Sequence, residues 1–189
     1  LAQAGVRDSK VFGSTSAGRQ ARTRLAASIR EHAAWSALEV CEVPDVDAYV
    51  ARSELNLLER ERAEILIGRA PACVRIVADG RTLFAPLVAQ YPHLEAVDRA
   101  ESAHMAVAAA SICAKAMRDE LFDAIARRYE PEFGALRGGG YVNPPTVAFV
   151  AEYVRRHGQL PPEARKSWPW RGVLCLAGYN FPTTALPAP

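Results

Sequence analysis

The stretch from Arg99 to Asp119 is the feature that most restricts how this chain can fold. It is rich in alanine and almost continuously apolar, with Glu101 near its start and Asp119 at its end. Alanine favours helix, and its small side chain lets a helix lie close to whatever it packs on. We therefore expect a buried helix that opens with a carboxylate, and a functional site near that carboxylate.

Composition restricts the class of protein further. A chain of 189 residues is long enough for one domain with a sizeable core, and a hydrophobic fraction of 50% excludes general disorder. The net charge of +2 means that nucleic-acid binding would need a local basic patch. The cysteines are scattered without metal-ligand spacing, which is typical of free thiols in a reducing cytosol. Neither a membrane span nor a signal peptide is recognisable, so we expect a cytoplasmic protein.

Hydrophobic periodicity and turn residues predict an alternation of helices and short strands. The predicted elements are a helix over 17–33, a strand over 35–43, a helical turn over 45–50, a helix over 53–69, a strand over 73–79, a connection over 81–93, a strand over 94–97, a long helix to 129, a loop over 131–142 and a helix from 144 to 157.

Two carboxylates stand where such an arrangement places functional sites. Asp79 ends a predicted strand, and Glu101 opens the alanine-rich helix, so both are expected in one cleft at the carboxyl edge of the sheet. Converging carboxylates beside a basic loop suit hard cations such as Mg²⁺ or Mn²⁺. Carboxylates at strand ends also serve as caps or salt-bridge partners, and the pattern leaves that alternative open.

Five ordered motifs give the sequence a family resemblance. They are Gly5-Val-Arg-Asp-Ser-Lys10, Asn56-Leu57, Ala78-Asp79-Gly80, Ala100-Glu101-Ser102 followed by Ala106-Val-Ala-Ala-Ala-Ser-Ile112, and Gly140-Tyr141 with Arg165-Lys-Ser-Trp168. Through them the chain resembles the type 2 ribonuclease H family, the ribonucleases HII and HIII, over nearly its whole length.

The resemblance implies a ribonuclease H-like α/β fold, with a mixed central sheet flanked by helices and a helical C-terminal portion. One domain would cover 1–170, followed by a tail at 171–189. The implied activity is endonucleolytic cleavage of the RNA strand in an RNA/DNA hybrid, or at an RNA–DNA junction in duplex DNA. A two-metal site of Mg²⁺ or Mn²⁺ would leave 3′-hydroxyl and 5′-phosphate ends. We expect a monomer.

The resemblance also assigns roles to residues. Asp79 and Glu101 match the third and fourth carboxylates of the metal site. Ser9 and Lys10 match a phosphate-contacting pair, although Asp-Ser-Lys is also a common turn, and Tyr141 matches a tyrosine that packs on a sugar, although loop packing is an alternative. The remaining assignments are substrate contacts and supporting positions: Lys115, Arg165, Asp119 and His104.

The chain departs from the family pattern in two respects. Glu101 resembles ribonuclease HIII, where ribonuclease HII usually has Asp, whereas the Arg165–Trp168 ending resembles HII. The Asp-Glu pair expected upstream of the Asp-Ser-Lys motif does not occur in this sequence. Two alternatives to an active enzyme therefore remain: a hybrid-binding module without catalysis, and a fragment that does not fold alone.

Overall fold

The computed structural model describes residues 16–72 and 75–167. Its elements, in chain order, are α1 (Ser16–His32), α2 (Val43–Ala51), α3 (Leu55–Arg69), β1 (Ile76–Asp79), α4 (Arg81–Val88), β2 (Leu94–Val97), a 3₁₀ turn (Ala100–Ser102), α5 (Met105–Phe133) and α6 (Pro144–His157). The described residues form two compact units, 16–39 with 59–120 and 40–58 with 121–167. The division falls within α3 and α5.

Several sequence predictions concern residues outside the described ranges. They are the substrate contacts Ser9 and Lys10 with their motif, the start of the strand at Cys73, Trp168 of the closing motif, and the tail at 171–189.

Helices α1 and α5 pack together in the first unit, and the alanine-rich stretch forms the buried helix that the sequence predicts. Their shared core consists of Ala26, Ile29, Ala109, Ile112, Cys113 and Ala116. Ile112 in this core is fully buried. Burial raises the pKa of the Cys113 thiol, which therefore behaves as a core residue.

A buried ion pair joins the same two helices. The Arg22 Nη2 atom lies 2.5 Å from Asp119 Oδ2, and Arg22 Nε donates to the same oxygen at 3.2 Å. The two side chains are only 7% and 12% exposed. Because a buried charge is costly when it loses its main partner, this pair fixes how α1 and α5 meet.

Strands β1 and β2 pair in parallel, with α4 between them in sequence. Ile76 stands opposite Leu94, and Asp79 opposite Val97. Both strands were predicted, but the interpretation of 81–93 as a connection is wrong, because it contains α4. Leu87 of α4 is 2% exposed, and burial of this apolar face outweighs the hydrogen bond that Pro86 cannot make.

The predicted strand over 35–43 is wrong. Residues 35–42 have no ladder partner, and within the described residues the sheet contains only β1 and β2. Trp35 and Val40 are 41% and 46% exposed, so the alternating side chains do not cover a sheet face. Pro44, interpreted as the end of a strand, instead lies in the first turn of α2.

Helix boundaries also differ from the prediction. Helix α3 begins at Leu55 because Ser53 adopts a left-handed conformation with φ of 59°. Its residue Ile65 is 40% exposed. Helix α5 continues through Pro131 to Phe133, so the predicted loop begins only at Gly134.

The second unit is mainly helical, which confirms the predicted helical C-terminal portion. Aromatic rings from α5 and α6 pack edge to face, with Tyr129 and Tyr153 centroids 5.5 Å apart. Helix α6 starts as predicted, with the Asn143 side chain accepting from Thr146 N–H, and ends at left-handed Gly158. The protein is of the α/β class. In the residues that the structure describes, no helix has the length and apolar character needed to cross a membrane.

Replacing Asp119 with alanine tests the buried pair. We expect Asp119→Ala to lower the free energy of unfolding by about 3 kcal/mol, because the buried Arg22 would lose the carboxylate that neutralises its charge. The measurement is urea-induced unfolding followed by circular dichroism. The control is Glu95→Ala, which breaks the exposed pair with Arg75 and should change stability little. Similar losses in both variants would contradict the importance of the buried pair.

Candidate active site at the β1 and β2 ends

The carboxyl ends of β1 and β2 form a corner in which Asp79 takes part through its side chain. Asp79 ends β1, is exposed, and accepts a hydrogen bond at Oδ1 from the backbone N–H of Ala100 at 3.2 Å. Ala100 is 1% exposed and immediately precedes Glu101. The strand-end carboxylate therefore holds the segment that carries the second predicted carboxylate.

A second hydrogen bond crosses the same corner in the opposite direction. Asp98 Oδ1, directly after β2, accepts from the backbone N–H of Arg81 at 2.8 Å. Between these two bonds, the Gly80 N–H donates to the Val97 carbonyl at 2.8 Å. Gly80 has φ of 129°, a conformation that residues with a side chain rarely adopt. The loops after β1 and β2 are thus joined at three points.

Glu101 lies in the 3₁₀ turn Ala100–Ser102, which precedes α5. The expectation that it opens the alanine-rich helix is therefore wrong in detail, because α5 begins at Met105. The turn follows Arg99, which has φ of 57° in the left-handed region. Arg99 reverses the chain just before the turn, and the bond from the Ala100 N–H to Asp79 attaches the segment that carries Glu101 to the sheet corner.

The chemistry of this corner suits a hard cation. Asp79 and Glu101 provide carboxylate oxygens, the donors that Mg²⁺ and Mn²⁺ prefer. Within 16–72 and 75–167, however, there is no group of three or more His, Cys, Asp or Glu residues that could hold a metal ion. The described residues thus contribute part of a ligand set.

The other predicted residues of the first unit lie at different places. His104 is half-buried between the 3₁₀ turn and α5, and its backbone N–H donates to the Ala100 carbonyl at 2.8 Å. Lys115 is half-buried on α5, about 15 Å along the helix from Met105, and Asp119 is about 21 Å along it. Asp119 therefore contributes to the α1–α5 contact through Arg22.

In the second unit, Tyr141 stands on a loop of unusual backbone shape. Gly138, Gly139 and Gly140 all have positive φ, and the Asn143 amide donates to the Gly138 carbonyl at 2.8 Å. Tyr141 itself is 56% exposed. The loop thus presents an aromatic ring to solvent, a position suited to stacking on a ligand.

Arg165 lies in a segment held by carboxylates that sequence reasoning missed. Asp47 of α2 accepts from the backbone N–H groups of Lys166 at 2.8 Å and Ser167 at 3.0 Å. Burial lowers the pKa of Arg165, and the Asp47 charge opposes that shift. Glu163 accepts from the Tyr129 hydroxyl at 2.8 Å.

Among the missed residues, only Asp98 had a usable sequence signal. It follows the predicted strand 94–97 directly, just as Asp79 completes its own strand. The strand-end argument that selected Asp79 applies equally to Asp98. Asp47 and Glu163 act across large sequence separations, and no local pattern reports such pairing.

Comparison with known proteins connects this arrangement to one family. The family model described as Ribonuclease HII matches residues 1–170. A protein named Ribonuclease HII from Thermofilum pendens is 43% identical over 65% of this chain and 51% of its own length. Another of that name from Halobacterium salinarum is 34% identical over 87% of this chain and 76% of its own length. The chain thus spans about half the length of the Thermofilum relative.

A solved structure shares the fold. The crystal structure of ribonuclease H2 from Pyrococcus horikoshii aligns with a TM-score of 0.75 and 20% identity, over 95% of this chain and 84% of that one. The likeness confirms the predicted ribonuclease H-like fold.

Adding a methyl group at Gly138 tests whether close packing holds the loop that carries Tyr141. In Gly138→Ala, the added Cβ would clash with the Asn143 side chain and lie 2.5 Å from Thr146 Oγ1. We expect a loss of about 2 kcal/mol in the free energy of unfolding, from the disturbed cap and the positive φ together. Urea unfolding measures it. In the control Gly158→Ala, φ is also positive but the new Cβ meets nothing within 4 Å, so a clearly smaller loss is expected; equal losses would contradict the clash.

Alkaline pH tests the anchoring of the segment that carries Arg165. Burial and the hydrogen bond to Glu163 raise the pKa of Tyr129. A raised pKa means that the folded state keeps the phenolic proton, so this stabilisation is complete below about pH 10 and is lost as the pH rises further. We expect the melting temperature of the wild type to fall more steeply above that pH than that of Tyr129→Phe. Tyr141→Phe serves as the matched tyrosine control, and parallel curves for wild type and Tyr129→Phe would contradict the assignment.

Proposed function

Because this chain belongs to the ribonuclease HII family, we propose that it is a metal-dependent endonuclease that cleaves the RNA strand of RNA/DNA hybrids. The products would be 3′-hydroxyl and 5′-phosphate ends. Junctions between RNA and DNA in duplex DNA are included in the proposed substrate class. We further propose that the protein acts in the cytoplasm as a monomer, through one domain over 1–170.

The observation that carries this proposal is the hydrogen bond from the Ala100 N–H to Asp79 Oδ1. It attaches the turn that carries Glu101 to the end of β1, and this attachment supports the proposal that the two carboxylates act at one sheet edge. One oxygen of Asp79 accepts this bond, and its other oxygen can serve as a metal donor.

Asp79 and Glu101 would hold Mg²⁺ or Mn²⁺ in this proposal. When bound, a pair of such ions activates water and stabilises the leaving oxygen of a phosphodiester. The protein's own contribution is to hold the carboxylate donors in place before substrate arrives, because the joined loops restrict their movement. His104 and Asp119 would support this arrangement through the 3₁₀ turn and the α1–α5 contact.

The remaining predicted residues would bind the nucleic acid. Ser9, Lys10, Lys115 and Arg165 would contact backbone phosphates, which fix the register of the duplex. The exposed ring of Tyr141 would pack on a sugar at the RNA–DNA junction. Of these contacts, the one to the sugar would select a strand that carries 2′-hydroxyl groups.

Removing the metal donors tests the site. With a labelled RNA/DNA hybrid in Mg²⁺ or Mn²⁺, we expect Asp79→Asn and Glu101→Gln each to reduce cleavage at least about 100-fold, because each loses a charged oxygen donor. Gel analysis of the products gives the rate and the end chemistry.

Glu95→Gln is the matched control, because Glu95 lies on β2 of the same sheet and pairs with Arg75. Its cleavage rate should equal that of the wild type. Retained cleavage in either site variant would remove that residue from the proposed site. Hybrid binding without cleavage by the wild-type chain would replace the enzyme by a binding module.

A further inference from the structure

Two arginines stand beside the carboxylates at the ends of β1 and β2. Arg81 begins α4, two residues after Asp79, and Arg99 immediately precedes Ala100, two residues before Glu101. Both arginines are exposed. The two joined loops that hold the carboxylates therefore also hold a pair of cations.

These guanidinium groups are not used by the fold. Several other arginine side chains in the described residues are held by protein partners, as Arg69 is by Glu39 and Arg75 by Glu95. Across 16–72 and 75–167, the guanidinium groups of Arg81 and Arg99 have neither a hydrogen bond nor an ion pair, and only the backbone N–H of Arg81 is engaged, by Asp98. An arginine whose guanidinium group has no partner within the described residues can donate two parallel hydrogen bonds to an anion such as phosphate.

The backbone at Arg99 is a second, independent sign of function. Its φ of 57° is a conformation for which glycine is the ordinary choice, and a residue with a long side chain is strained there. The surrounding bonds nevertheless hold this conformation, with Asp79 bound to the following residue. The fold thus fixes an arginine at a position where local preference favours a residue without a side chain.

The negative charge of this corner indicates a function for the two arginines. Asp79, Asp98 and Glu101 together present three carboxylates, which repel a polyanion. We infer that Arg81 and Arg99 bind backbone phosphates of the nucleic acid next to the carboxylate pair, so that the strand can approach an acidic site. This inference deepens the proposed function and rests on it. It adds two binding residues to those that the sequence suggested.

Binding without metal isolates this contribution from catalysis. The probe is a fluorescein-labelled RNA/DNA hybrid, and the readout is fluorescence anisotropy in EDTA over a series of salt concentrations. We expect Arg81→Gln and Arg99→Gln each to weaken binding about tenfold at low salt. Each should also reduce the slope of log K against log salt by about 1, the signature of one lost phosphate contact.

Three further variants separate charge from folding. Arg81→Lys and Arg99→Lys keep the charge and should restore most of the affinity and the slope. Arg99→Gly relaxes the left-handed backbone, so its melting temperature should be no lower than that of the wild type while its binding falls as in Arg99→Gln. Arg24→Gln is the matched control, because Arg24 is exposed on the face of α1 opposite to Arg22 and should bind like the wild type.

The outcomes are distinguishable. Wild-type affinity and slope in both glutamine variants would overturn the inference and leave the proposed function intact. An equal loss in Arg24→Gln would overturn it too, because the effect would then be one of general charge. A wild-type chain that neither binds nor cleaves the hybrid would overturn the proposed function and this inference with it.

Discussion

The exchange of hydrogen bonds between the ends of β1 and β2 is the constraint on which the candidate site depends. Asp79 accepts from Ala100, Asp98 accepts from Arg81, and Gly80 donates to Val97. Each bond uses a backbone N–H at a loop, where no helix or strand partner would otherwise satisfy it. A two-stranded parallel ladder has few bonds of its own, so these contacts determine where the attached carboxylates and arginines lie.

Sequence reasoning located the helices and this corner but not its detail. Hydrophobic periodicity predicted α1, and turn residues predicted the start of α6 at Pro144, because both signals are local. The prediction of a strand over 35–43 was wrong because alternating apolar and polar side chains are not sufficient for a strand, which also needs a neighbouring strand to pair with. Asp79 was predicted as a site residue because it ends a strand. The Arg22–Asp119 pair joins residues 97 apart, and no local sequence pattern predicts such a pair.

Both the family resemblance and the structure bear on the role of Glu101. The sequence resembles HIII at Glu101 and HII at its ending, while the matching family model is that of Ribonuclease HII. Glu carries one methylene more than Asp, so its carboxylate reaches further from the backbone. Here it starts from a 3₁₀ turn that is drawn to β1 through Ala100, and a longer side chain from that turn is compatible with a ligand set shared with Asp79.

The two units have a consequence for how the chain acquires its structure. Each is discontinuous: 16–39 packs with 59–120, and 40–58 belongs with 121–167. During synthesis, the apolar face of α1 can be covered only after α5 has been made. Asp47 likewise can bind its backbone partners only after the residues 119 and 120 positions later have been made. Contacts of such separation slow folding, since the intervening loop must close first. The apolar face of α1 therefore stays uncovered until α5 has been synthesised.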